Sequence, residues 1–147
     1  MVWNQIYLVE VLFMKGYGVL SLNQPGWIEK EKPKCGPLDA LVHPIVLAPC
    51  SSDVHVMHGG FGENKNLILG HEAVGKVVET GSLVKKFKEG DTVVVPCTTP
   101  NWLAENVQGE YTAHDEGLMA SFKFLGSKDG TFAEYFHVND ADANLVS

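Results

Sequence analysis

Short β-forming runs broken by turn residues constrain this chain more than any other feature. "GVLSL" (18–22) and "WIEKEKP" (27–33) alternate apolar and polar residues with the period of two of a half-buried strand. "DALVHPIVLAPC" (39–50) reads as a longer strand. Pro44 marks an edge or a bulge within it, because proline cannot donate to a ladder. "AVGKVVET" (73–80) is rich in β-formers, "KEGDTVVVP" (88–96) is a turn feeding a strand, and "GTFAEYFHV" (130–138) is a strand entered through Gly130. "SSDVHVMH" (51–58) opens on helix-capping residue types and predicts a short helix. About six short strands, few helices and one long irregular segment, 97–129, predict a mainly β chain. A small β-barrel or partly open β-fold fits that pattern best. There is no βαβ alternation and no G-x-G-x-x-G loop, so a dinucleotide-binding unit is not expected within these residues.

A chain of 147 residues can bury one core. Its net charge of −7 argues against a nucleic-acid partner, which calls for a basic surface, and leaves "KKFK" (85–88) as a solvated turn. The three cysteines, Cys35, Cys50 and Cys97, are too few and odd in number for a disulfide framework, so a reducing cytoplasm is expected. The apolar start "MVWNQIYLVEVLF" has no basic flank and is interrupted by Asn4, Gln5 and Glu10. It is therefore too broken for a membrane helix and a poor signal peptide, and no membrane association is expected.

The chemistry concentrates in two places. Cys50 follows "LAP", and His71 follows Gly70 and precedes Glu72. A thiol and an imidazole at strand ends are the donor types that catalytic zinc takes, with Glu72 beside them as a supporting or alternate ligand. The 21 positions separating Cys50 from His71 fix no spacing, so a zinc site and a buried thiol with a turn histidine both remain open on the residues alone. Gly70, Gly75 and Gly81 are read as conformational, allowing positive φ or close backbone approach. Cys35 and Cys97 are read as structural, and His43, His58, His114 and His137 carry no assigned role.

"GHEAVGKVVETGSLV" (70–84) resembles the zinc-containing alcohol dehydrogenase signature: Gly-His-Glu, two residues, Gly75, five residues, Gly81, two residues and Val84. "GWIEKEKP" (26–33), "APCSSDVH" (48–55), "FKEGDTVVVPCTTPNW" (87–102) and "KDGTFAEYFHVNDADANL" (128–145) extend the resemblance to the NADP-dependent secondary-alcohol branch of that family, from Met14 to the end of the chain. The resemblance implies a GroES-like catalytic domain over 14–147. Residues 1–13 are then an extension of unknown role, and the Rossmann domain that binds NADP(H) is absent from this chain. It implies one catalytic zinc held by Cys50 and His71 with Glu72 adjacent, and a third protein ligand, an aspartate, beyond residue 147. Asp140 and Asp142 are not ligands on this reading.

The same resemblance gives Ser52 and His55 as a proton relay, and Ser51, Trp102 and Phe122 as substrate-pocket residues. Phe122 stands where close relatives carry tryptophan, which widens the pocket and removes an indole N–H. With only Cys97 between 97 and 129, no structural zinc is expected. The activity implied is interconversion of small secondary alcohols and ketones by hydride transfer, in full-length relatives that are homotetramers. This chain by itself is expected to be inactive. The rival expectation is a non-catalytic GroES-like zinc-binding or scaffold module descended from such an enzyme.

Overall fold

The computed structural model describes residues 13–108 and 128–147. Among the described residues, seven strands form two antiparallel sheets, as the mainly β expectation requires. In the first, β1 (Phe13–Ser21) lies between β2 (Gln24–Glu31) and the short β4 (Leu67–Ile68). In the second, the order is β6 (Thr92–Val95), β5 (Ala73–Thr80), β3 (Ala40–Leu47) and β7 (Phe136–Val138). Three short helices complete the described residues: α1 (Ser51–Met57), α2 (Glu105–Gln108) and α3 (Ala141–Asn144).

The alternation in the sequence becomes the pleat. Along β1, Met14 and Val19 are buried while Phe13, Lys15 and Tyr17 face out. β5 spans 73–80 as expected, and its inward Ala73 and Val77 pack with Val42, Val93, Val95, Phe136 and Val138 in the main core. A second cluster, Val19, Val56, Leu67 and Leu69, places α1 under the first sheet.

Pro44 sits at an edge and a bulge together. β7 covers β3 only at Ala40, Leu41 and Val42, so among the described residues Pro44 has no neighbour strand on that side. On the other side, the β3–β5 register shifts between Pro44 and Val46. β1 and β2 are longer at their N-terminal ends than the sequence alone indicates, because their pairing runs from Phe13↔Glu31 to Ser21↔Gln24 across a tight turn. Phe13 thus already belongs to a strand, while residues 1–12 lie outside the described residues.

The run 130–138 departs most from expectation. Only Phe136–Val138 forms a strand. Residues 128–135 instead make a strap along β1 and the 68–70 segment. Tyr17 N donates to Phe132 O (2.8 Å), Glu134 N to Lys15 O (3.0 Å), Gly130 N to Ile68 O (2.9 Å) and Thr131 N to Gly70 O (2.9 Å). These bonds satisfy a β1 edge that β4 is too short to cover. Gly81 is needed for close approach: a Cβ there would run into the Gly36 and Pro37 carbonyl oxygens.

Phe136 is 1% exposed at the centre of the main core, so Phe136→Ala should lower the unfolding free energy by about 3–5 kcal/mol. Val94 on the neighbouring strand is 44% exposed, and Val94→Thr should stay within about 0.5 kcal/mol. Urea titration followed by circular dichroism separates the two outcomes. Equal costs would refute this assignment of the core.

Candidate metal centre

Cys50 and His71 are brought together by Asp53. The N-cap of α1 is Cys50. Asp53 reaches back from the first helical turn and accepts the Cys50 amide at Oδ2 (2.9 Å). Its other oxygen, Oδ1, accepts the Gly70 amide at 2.9 Å. One buried carboxylate therefore ties the start of α1 to the Gly70–His71 turn. Gly70 adopts φ +92°, and the place of its missing Cβ is taken by Thr131 Oγ1 and the Phe132 ring. A side chain at 70 would push the strap away and turn His71 with it.

The same Asp53 Oδ1 lies 3.4 Å from His71 Nδ1. A carboxylate at Nδ1 favours the proton there and leaves Nε2 as the lone-pair nitrogen, the tautomer that a metal ligand requires. Nε2 lies 3.2 Å from Ser52 Oγ and 4.0 Å from Glu72 Oε1. Ser52 comes within reach because it sits in the first turn of α1, two residues after Cys50.

The electrostatics follow from this packing. Burial works against the charge on Asp53, but its bonds to His71 and to the Cys50 and Gly70 amides outweigh it and hold the carboxyl below its usual range. The Asp53 carboxylate raises the His71 pKa against the opposing effect of burial, and Cys50 adds to the rise. The Cys50 thiol is pulled down to about 7, first by the Ser52 hydroxyl and amide and then by His71. Cys35 goes the other way: burial, with Glu79 and Asp39 nearby, pushes it up to about 11.

The remaining candidates are placed differently. Glu72 is half exposed and lines a cleft of about 330 Å³ with Ala48, Val94 and Cys97. Cys97 is thus an exposed thiol beside Glu72. Ser51 is exposed at the first position of α1. His55 lies one turn beyond Ser52, exposed, with its backbone oxygen accepting the Gly60 amide. Its ring makes no hydrogen bond to another described residue. Trp102 is held by Nε1 to Asn144 Oδ1 (2.9 Å) and by its amide to Asp140 Oδ2 (2.6 Å), and has no bond to Cys50, Ser52 or His71. Phe122 lies outside the described residues. Asp140 and Asp142 act as backbone acceptors, Asp142 for the Lys85 and Lys86 amides.

Asp53 is the residue that sequence reading missed. Its signal was an acid in the first turn of a helix directly after the candidate thiol, which reads equally well as an ordinary cap. Among the described residues no three His, Cys, Asp or Glu side chains gather closely enough to hold a metal by themselves. Cys50 and His71 nonetheless suit zinc as a donor pair: a thiol with a lowered pKa and an imidazole fixed by a carboxylate at its far nitrogen.

Residues 36–146 match the alcohol dehydrogenase GroES-like domain. The chain belongs to that family. The NADP-dependent isopropanol dehydrogenase of Clostridium beijerinckii is 57% identical over 134 residues, 90% of this chain and 38% of that protein. The enzyme of the same description from Thermoanaerobacter brockii is 59% identical, with the same coverage. Among solved structures, a zinc-dependent alcohol dehydrogenase from Streptococcus pneumonia superposes with a TM-score of 0.74 at 30% identity, over 90% of this chain and 38% of that one. The chain thus spans little more than a third of the length of these relatives. The fold is the GroES-like domain of alcohol dehydrogenases. No described helix is long and apolar enough to cross a membrane.

Thiol chemistry tests the electrostatics directly. In metal-free protein, alkylation of Cys50 by iodoacetamide should reach half its maximal rate near pH 7, because the thiolate is the reacting form. Cys35 should stay unreactive until the pH approaches 11. Peptide mass spectrometry at pH 7.5 should find Cys50 modified and Cys35 intact. The reverse order would refute the polarity of the site.

Proposed function

We propose that this chain is the catalytic-domain portion of a zinc-dependent oxidoreductase that interconverts secondary alcohols with ketones or aldehydes by hydride transfer to and from NADP(H). The observation that carries this reading is the grouping of Cys50, Ser52 and His71 around Asp53, in a chain 57% identical to an isopropanol dehydrogenase. Zinc would be held by Cys50 and His71, with Glu72 beside them and further donors from outside the described residues. When bound it supplies Lewis-acid polarisation of the substrate oxygen.

The chain's own residues would supply orientation and a proton path. Asp53 holds His71 in one tautomer and fixes the approach of α1. Ser52 presents a hydroxyl at the mouth of the site, able to accept the alcohol proton and pass it outward, with exposed His55 as the next station. Ser51, Trp102 and Phe122 are proposed to shape the substrate pocket. The nicotinamide would be bound by the part of the longer protein that the matched relatives possess beyond this region.

Asp53→Asn removes the charge that anchors His71 and should weaken zinc binding about 10–100-fold in a chelator competition, whereas Cys50→Ser should abolish tight binding. Unchanged affinity in both variants would exclude the site. The activity is tested by replacing the matching segment of the Clostridium beijerinckii enzyme with residues 14–147. That chimera should oxidise 2-propanol with NADP, and Ser52→Ala should lower its kcat/KM by about 10²–10⁴-fold. A folded, zinc-loaded chimera without activity would overturn the catalytic reading.

A further inference from the structure

An open groove of about 590 Å³ is lined by residues of β1, β2, β3 and the strap. Tyr17, Trp27, Leu47, Pro49 and Phe132 give it an apolar wall. Tyr17 and Trp27 are register partners on β1 and β2 and meet edge to face, with ring centroids 5.4 Å apart. Trp27 is nonetheless 74% exposed, and Tyr17 and Leu47 are exposed with it. Leu47 belongs to the stretch of β3 that β7 leaves uncovered. A contiguous apolar surface that includes a bare indole marks a docking surface rather than an ordinary solvated face.

The polar groups around the groove leave one charge over. His43 Nδ1 lies 2.8 Å from Glu134 O, and Glu134 Oε2 accepts the Lys15 amide at 2.7 Å. The Lys15 ammonium makes no ion pair with another described residue, not even with Glu29 opposite it on β2.

The chain carries a complement to this groove. Residues 1–12, "MVWNQIYLVEVL", lead directly into β1, and nine of the twelve are apolar. Glu10 is the one charged side chain among them. Phe13 opens β1 two residues before the groove-lining Lys15 and four before Tyr17, a run of about 13 Å of strand. Twelve residues reach about 40 Å when extended, so a turn leaves enough chain to run back over the groove. A tether this short also presents the segment at roughly millimolar effective concentration, which a second copy or a separate partner would have to match.

We propose that residues 1–12 fold back over this groove, burying their apolar side chains against Tyr17, Trp27 and Leu47 and setting Glu10 beside Lys15. The extension then shields an apolar face that would otherwise drive association. The docking is independent of the zinc reading, because none of Cys50, Ser52 and His71 lines the groove.

Hydroxyl-radical footprinting of the full chain, read by peptide mass spectrometry, tests this. Joint substitution Ile6→Ser, Leu8→Ser and Val9→Ser strips the segment of apolar side chains and leaves β1 untouched. It should raise oxidation of Trp27 about fivefold, while Trp102, 40% exposed and outside the groove, stays unchanged. Glu10→Gln should raise Trp27 oxidation about twofold, the value of one exposed ion pair, and should add nothing in a Lys15→Gln background. Equal oxidation of Trp27 in the wild type and the triple variant would overturn the proposal. Protection that grows with chain concentration would overturn it too, by assigning the groove to a second copy. An effect of Glu10→Gln that persists in the Lys15→Gln background would overturn the placement of Glu10 beside Lys15.

Discussion

One buried carboxylate organises the centre of this molecule. Asp53 accepts the Cys50 amide with one oxygen and the Gly70 amide with the other, and the latter oxygen also faces His71. The β3–β5 ladder ends at Leu47↔Ala73, with Ala48 N donating to Glu72 O, and Asp53 carries the tie onward to Cys50 and Gly70. Without the carboxylate, the Cys50 and Gly70 amides would lose their acceptor and His71 its electrostatic anchor. The same group thus serves as helix cap, as tie between segments and as orienter of an imidazole.

The surrounding fold protects that arrangement. The strap 128–135 bonds to β1, Ile68, Leu69 and Gly70, and fills the space that a Gly70 side chain would need. Gly70 can therefore take its positive φ, and His71 emerges at a fixed angle onto the end of α1. The main core lies on the other side, under the second sheet, and gives β5 a rigid seat just beyond Glu72. The candidate site residues on short, irregular stretches are pinned by long-range hydrogen bonds. Pinning of this kind is how a site on loops reaches the precision that metal binding needs.

The electrostatic consequences are local and opposite in sign. Two cysteines in one chain differ by several units because one faces hydroxyl and imidazole donors and the other faces carboxylates in a half-buried pocket. Of these two, the thiol at the N-cap of α1 is the reactive one. Across the molecule, Lys30 is paired with Asp129 and Lys32 with Glu79, so both hold structure.

Much of the fold was legible in the sequence. Period-two alternation marked β1, β2 and β5, the capping residue types marked α1, and Pro44 marked its own edge and bulge, because these signals depend only on neighbours along the chain. Cys50, His71 and the glycines were visible for the same reason. The strap was not, since residues 130–135 carry strand-like composition yet spend their backbone bonds on segments more than 60 positions away. Nor was the role of Asp53, which looks like a surface helix cap until Gly70 arrives 17 residues later to take its second oxygen. The sequence by itself determined which segments are extended, where they turn and which side chains carry donor chemistry. Tertiary structure alone decided which of those donors meet, because meeting depends on hydrogen bonds and close packing between parts of the chain that no local pattern connects.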